Sequence, residues 1–141
     1  MGKRDLGNLP PERRLATLRI IWAALLIGPL SFLFAVVSGA AQRPKGQPQP
    51  SLFIIECVMF AIAVPIGFVI RRIIFNRGMV DGKIKFQAFS TGNIVFWACC
   101  ESIAFFGIIA AVQNGSLMPT CVPAFIAMAC QAITFPTGEW I

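Results

Sequence analysis

The chain has 141 residues, of which 57% are hydrophobic and 13% are charged, and its mean hydropathy is +0.75. Soluble domains contain about a quarter charged residues, so this composition indicates an integral membrane protein. The sequence has no His and no Tyr, which excludes histidine-based acid–base catalysis, histidine haem ligation and the usual zinc sites.

The net charge of +6 is also compatible with nucleic-acid binding. The Lys and Arg residues, however, lie between the apolar runs, which favours a topology signal and attraction to anionic lipid head groups. We therefore expect no nucleic-acid partner.

The cysteines all lie in apolar runs, and none forms a CxxC pair. They are Cys57, Cys99, Cys100, Cys121 and Cys130. We interpret them as small apolar residues and expect no disulfide, metal or cofactor.

Residues 1–14 are polar and basic, include Arg13 and Arg14, and predict a cytoplasmic surface tail. The first helix is predicted over about residues 15–40 and contains Pro29 in its interior. A membrane helix tolerates such a proline when neighbouring groups satisfy the freed carbonyl. A basic start, an apolar run and small residues at 38–40 also fit a cleaved signal peptide. The length of the apolar run favours the membrane helix, but the alternative stays open.

A short Pro- and Gln-rich connector precedes the second helix, predicted over about residues 52–75. The strongly basic loop that follows contains two turn signals, Asn76-Arg77-Gly78 and Asp81-Gly82.

The third helix is predicted over about residues 91–113 and the fourth over about residues 117–135. Prolines near the start of the fourth helix predict an irregular first turn, and Pro136 marks its end.

Ten of the twelve Lys and Arg residues lie in the amino-terminal segment and in the loop between helices two and three. The positive-inside rule then places both termini and this loop in the cytoplasm. The predicted fold is all-α, a four-transmembrane-helix bundle formed by one domain over residues 15–141, multi-pass in the plasma (inner) membrane. Seven basic residues are expected at the membrane surface: Arg13, Arg14, Arg71, Arg72, Arg77, Lys83 and Lys85.

The third helix is apolar except for one carboxylate, Glu101. A carboxylate at the bilayer centre costs about 3 kcal/mol or more, so such residues usually bind or pair. Counting about 1.5 Å per helical residue places Pro29, Pro65 and Gln131 near the same depth. We expect Glu101 to be protonated and to donate to a carbonyl freed by a proline, with the Gln131 amide donating back. Glu56 falls near the outer surface and is expected to be an ordinary interfacial acid.

The polar loop leads into the apolar third helix, within which the run ESIAFFGIIA begins at Glu101 and occupies residues 101–110. This segment resembles the carboxylate helix of rotary ATPase proteolipid subunits, the c-type subunits, over residues 86–112. In that family the helix runs from the cytoplasm outward and carries a mid-membrane Glu. The resemblance implies that Glu101 binds a proton or a cation.

The sequence therefore predicts a small non-enzymatic membrane protein with a buried proton- or cation-binding carboxylate at Glu101, assisted by Gln131. The alternative is a structural or accessory subunit of a larger membrane complex, in which Glu101 forms an interhelical hydrogen bond worth about 1 kcal/mol. Either role predicts contact with the lipid bilayer and with a second copy or another membrane subunit. An enzyme is not expected, because the basic loop contains one Asp and no obvious nucleophile.

Overall fold

A computed structural model of the protein describes residues 10–39, 50–115 and 118–138. Most of these residues belong to four helices: α1 (Pro11–Val37), α2 (Pro50–Arg77), α3 (Phe86–Gln113) and α4 (Val122–Ile133). Two short strands, β1 (Met79–Val80) and β2 (Lys83–Ile84), connect α2 to α3. The predicted all-α fold with four helices is confirmed. The predicted surface tail lies outside the described residues up to residue 9, and its last residues already belong to α1.

Three of the helices are long and apolar enough to cross a membrane. Their apolar spans are Glu12–Val37, Pro50–Arg77 and Phe86–Gln113, with mean hydropathies of 2.5, 2.6 and 2.1. At about 1.5 Å per residue each helix is roughly 40 Å long, which exceeds the roughly 30 Å of bilayer hydrocarbon. The three helices thus have the length and the composition of membrane-spanning helices.

The fourth helix is shorter than the sequence predicts. It covers Val122–Ile133, 12 residues, or about 18 Å, instead of about residues 117–135. The two prolines explain the late start, because Pro119 lies in a turn before the helix and Pro123 lies in its first turn, where proline is tolerated. The irregular start and the end before Pro136 agree with the prediction. By contrast, α3 begins earlier than predicted, directly after the strand pair.

The central element is α3, which packs against each of the other three helices. Half of its most apolar 18-residue window is buried inside the bundle, compared with 11% for α1 and for α2. By contrast, α1 and α2 do not pack closely against each other. Most of their apolar surface faces outward, as expected for helices in contact with lipid tails.

A tight turn between α2 and α3 sets how the two helices pack against each other. Met79 pairs with Ile84 in the antiparallel ladder, and Asp81 and Gly82 form the turn. Both turn residues have positive φ, 51° and 78°. This is the type I′ geometry that the Asp-Gly pair favours in two-residue hairpins. The turn predicted at this position is confirmed.

The register of the two helices is symmetric about this turn. Residues of α2 face residues of α3 that are equally distant from the turn along the chain. Gly67 faces Phe96 in this way, and Glu56 faces Gly107. The two helices therefore run antiparallel, and the turn determines which side chains meet.

Two tryptophans attach α4 to α3 and to α1. The indole N–H of Trp97 donates to Thr134 Oγ1 at 3.0 Å, and that of Trp22 donates to the backbone oxygen of Gln131 at 2.9 Å. The Trp22 ring also contacts Phe135 edge to face at 4.9 Å. An indole N–H in an apolar environment needs a partner, so these contacts fix the carboxyl end of α4.

We predict that Trp97→Phe lowers the free energy of unfolding by about 1–3 kcal/mol, because it removes buried volume and one hydrogen bond. Trp97 is fully buried. Thermal unfolding in detergent, followed by circular dichroism, measures the change. Ile133→Ala is the control, because Ile133 is 83% exposed and should change stability little. Equal losses in the two variants would contradict the role given to Trp97.

Candidate functional site

Glu101 lies where α1 crosses α3. A Cβ built on Gly28 would stand 3.5 Å from Glu101 Oε1 and 3.5 Å from the Phe105 ring. The Glu101 carboxyl group therefore approaches the bare backbone of Gly28. The side chain is only half-buried, so it is reachable from outside the bundle. Pro29, the next residue, has no N–H and leaves the carbonyl of Leu25 without its helical donor.

The hydrogen-bonded layer predicted from depth is absent from the described part of the chain. Glu101 forms no hydrogen bond or ion pair with the described residues, and neither side-chain polar atom of Gln131 has a hydrogen-bond partner among them. Gln131 is fully buried on α4, whereas the carboxyl group of Glu101 lies against Gly28 of α1. Similar depth does not bring the two side chains together.

Glu56 is buried, in contrast to the interfacial acid that the sequence predicts. Its exposed fraction is 0%, and its carboxyl group lies directly on the backbone of Gly107 in α3. A Cβ at Gly107 would overlap Glu56 Oε1 and approach Ala124 Cβ of α4 to 2.9 Å. Glu56 is therefore enclosed between α2, α3 and α4. The estimate from depth failed because it ignored which face of α2 carries the residue.

The surroundings of Glu56 offer it no charge partner. Neither carboxyl oxygen forms a hydrogen bond with a described residue. The buried Cys121 thiol lies within electrostatic range of the carboxyl group. An enclosed carboxyl group without a cation or hydrogen-bond donor is accommodated in its neutral, protonated form.

The Cys, Asp and Glu residues do not form a metal site in the described ranges. No group of three or more His, Cys, Asp or Glu residues is arranged to hold a metal ion there. The five cysteines are free thiols. Two of them, Cys100 and Cys121, are buried. The carboxyl groups of Glu101 and Glu56 thus remain the candidate site. Glu101 lies on α3, and Glu56 of α2 contacts Gly107 on another face of α3, roughly 9 Å from Glu101 along the helix axis.

The basic residues predicted at the membrane surface lie at one end of the bundle. Arg14 near the start of α1 stands 6.0 Å from the ring centroid of Phe86 at the start of α3. The end of α2 and the strand pair lie at this same end, because they lead directly into α3. Six of the seven residues come from these segments or from α1 next to Arg14: Arg13, Arg71, Arg72, Arg77, Lys83 and Lys85.

The carboxyl-terminal segment reaches this end as well. The Arg19 guanidinium donates to the backbone oxygens of Pro136 and Thr137 at 3.3 and 3.4 Å. A Cβ built on Gly138 would stand 2.8 Å from the side chain of Leu15. The two outermost described segments of the chain therefore lie together, beside the basic groups.

Comparison with known proteins finds no matching family model, no matching curated protein and no matching solved structure. The resemblance of α3 to the proteolipid carboxylate helix stays a prediction. The geometry of the two carboxyl groups is therefore what indicates a function.

The burial of Glu56 had a signal in the sequence. The Asp81-Gly82 turn signal predicts an antiparallel helix pair, and counting equal distances from the turn brings Glu56 to Gly107. A glycine opposite a carboxylate is a place where that side chain fits between two helices. The hydropathy of α2 alone gave no indication of this contact.

We predict that Gly107→Ala destabilises the protein by about 1–3 kcal/mol, because the added methyl group overlaps the Glu56 carboxyl group. The matched control is Gly28→Ala, whose Cβ would make only ordinary contacts at 3.5 Å and which gains helix propensity. The expected order of thermal unfolding midpoints in detergent places Gly28→Ala at or above the parent and Gly107→Ala below it. The reverse order would show that Glu56 does not occupy the surface of Gly107.

A second pair of substitutions tests the protonation state of Glu56. Glu56→Gln keeps the shape of a neutral carboxylic acid and should leave the free energy of unfolding within about 1 kcal/mol of the parent. Glu56→Ala leaves a cavity and should cost about 2–4 kcal/mol. Chemical or thermal unfolding at neutral pH measures both. If Glu56→Gln is as destabilising as Glu56→Ala, the buried group is charged and paired.

Proposed function

We propose that the protein is a small non-enzymatic, multi-pass membrane protein in which Glu101 binds and releases a proton or a cation. One observation supports this above all. Glu101 presents a carboxyl group beside the backbone of Gly28, half-buried and without a fixed partner among the described residues. A half-buried carboxyl group without a fixed partner is available to a proton or to a cation.

The contrast with Glu56 supports the choice of Glu101. A group that exchanges a proton needs access to the outside, and Glu56 is fully enclosed. Glu101 lies at the edge of the contact between α1 and α3. A carboxyl group at this position costs several kcal/mol in lipid unless it is neutral or paired. Binding of a proton or of a cation removes this cost, so an apolar environment would favour the occupied form of Glu101.

The orientation belongs to the same proposal. The basic residues collect at one end of the bundle, and the positive-inside rule assigns that end to the cytoplasm of a plasma (inner) membrane. With this orientation α3 runs outward from the cytoplasm, as in the proteolipid subunits that it resembles. A proteolipid-like subunit would act as an oligomer, with Glu101 meeting a second copy or a partner subunit.

A structural or accessory subunit is the second candidate, and the uncovered face of α3 favours it. Thr91, Ala98, Ser102 and Ile109 recur along this face and are all exposed. The face lies between the side of α3 that meets Gly28 of α1 and the side that meets α2, and α1 and α2 do not close over it. Small residues on such a face permit close approach of another helix.

Reaction with a hydrophobic carbodiimide tests the proposed function. The reagent enters apolar regions and modifies protonated carboxyl groups. We expect it to label Glu101 at neutral pH and to label it less as the pH rises, because the reactive acid form disappears. Mass spectrometry of peptides from the purified protein locates the label. Glu101→Gln should abolish it, and the matched variant Glu56→Gln should leave it unchanged, because Glu56 is enclosed.

The outcomes separate the two candidates. Labelling of Glu101 that a specific cation suppresses identifies the bound ion, and labelling that responds to pH alone indicates a proton. An absence of labelling at every pH, with Glu101→Gln equally stable, overturns the ion-binding proposal and leaves the accessory subunit. Labelling at Glu56 instead would show that Glu56, and not Glu101, is the accessible carboxyl group.

A further inference from the structure

A cavity of about 510 Å³ lies between the end of α2 and the strand pair. It is distinct from both carboxyl groups. Its lining combines cationic, amide and apolar side chains: Phe68, Arg71, Arg72, Phe75, Asn76 and Ile84. The lining thus offers both hydrogen-bond donors and apolar side chains.

Arg71 is held in place within this lining. Its guanidinium carbon stands 4.9 Å from the ring centroid of Phe75 and 5.7 Å from that of Phe96. Such stacking orients the planar guanidinium group and leaves its edge free for hydrogen bonds. Its Nε atom is buried and has no hydrogen-bond partner among the described residues. A buried donor without an acceptor is unfavourable, and an anionic ligand would supply the acceptor.

The charge around the cavity selects an anion. Neither Arg71 nor Arg72 forms an ion pair or hydrogen bond with a described residue. Asp81, the sole acid between residues 57 and 100 of the sequence, is exposed at the tip of the turn. Asn76, on the next turn of α2, adds an amide that donates to oxygen. Two guanidinium groups and an amide form a set of donors suited to the oxygens of a phosphate group.

The depth of the cavity indicates the source of that phosphate. The apolar run of α2 ends at Ile70, directly before Arg71. Because α2 is longer than the hydrocarbon layer is thick, Arg71 and Arg72 fall at the level of the lipid head groups. Phe68 extends the apolar wall of the cavity towards the bilayer. A free phosphate ion would not use that wall, but an acyl chain would.

We propose that this cavity is a binding site for an anionic phospholipid. Its phosphate group accepts hydrogen bonds from Arg71, Arg72 and Asn76, and the beginning of its acyl chain contacts Phe68. The proposal does not depend on Glu101, which lies on another face of α3.

Native mass spectrometry of the full chain in detergent tests the site. The probes are phosphatidylglycerol and phosphatidylcholine with identical acyl chains, titrated separately. The parent protein should retain one phosphatidylglycerol more tightly than phosphatidylcholine. Arg71→Gln combined with Arg72→Gln should weaken phosphatidylglycerol binding by about tenfold or more, because each basic group contributes to attraction of the lipid.

The matched control is Lys83→Gln combined with Lys85→Gln. It removes the same charge from the same end of the bundle, but neither lysine lines the cavity. Its effect should be no more than about threefold. Arg72→Gln alone serves as a second variant if loss of the stacked Arg71 disturbs folding, because Arg72 is exposed. It should still weaken binding several-fold, with an unchanged circular dichroism spectrum.

Three results would overturn the proposal. Equal retention of both lipids would exclude recognition of an anionic head group. An equal loss in the lysine control would show attraction to the whole basic surface and not to a site. Displacement of phosphatidylglycerol by millimolar inorganic phosphate would identify free phosphate as the ligand.

Discussion

The structure depends on the register that the Asp81–Gly82 turn imposes on α2 and α3. A two-residue turn with positive φ at both positions sets the pairing of the strands that lead into the two helices. The contacts of Glu56 with Gly107 and of Gly67 with Phe96 then join residues at equal distances from the turn along the chain. Glycines occur where this register brings the two backbones close. Gly67 accommodates Phe96 and Cys99, and Gly107 accommodates Glu56 together with Ala124.

The same register gives two similar residues opposite environments. Both carboxyl groups occur in apolar helices, and hydropathy does not distinguish them. Glu56 points into the angle between α3 and α4 and is enclosed, whereas Glu101 points towards α1 and stays half-buried. Residues 100 and 101 of α3 illustrate the cause, because a step of one residue rotates a side chain by about 100°. Cys100 is fully buried among the helices, and Glu101 is at their edge.

The sequence predicts the parts of this structure that depend on long patterns or on local chemistry. Apolar runs locate the four helices, Asp81-Gly82 locates the turn, and Pro136 marks the end of α4. The length of α4 was overestimated, because hydropathy does not show where a helix begins within an apolar run containing Pro119. Counting residues along each helix predicts depth but not the environments of Glu56 and Gln131, because burial also depends on the direction in which each helix face points.

The contacts around Phe96 connect the centre of the bundle to its charged end. Gly67 lets the Phe96 ring approach α2, and Phe68 packs against that ring edge to face at 6.1 Å. The centroid of the same ring lies 5.7 Å from the guanidinium carbon of Arg71. A residue on α3 thus sets the position of a cation on α2. Because this arrangement requires the register set by the turn, the placement of the basic cavity and the enclosure of Glu56 have the same physical origin. A change in the turn would therefore disturb both ends of the bundle together, while Glu101, held against α1, would be affected least.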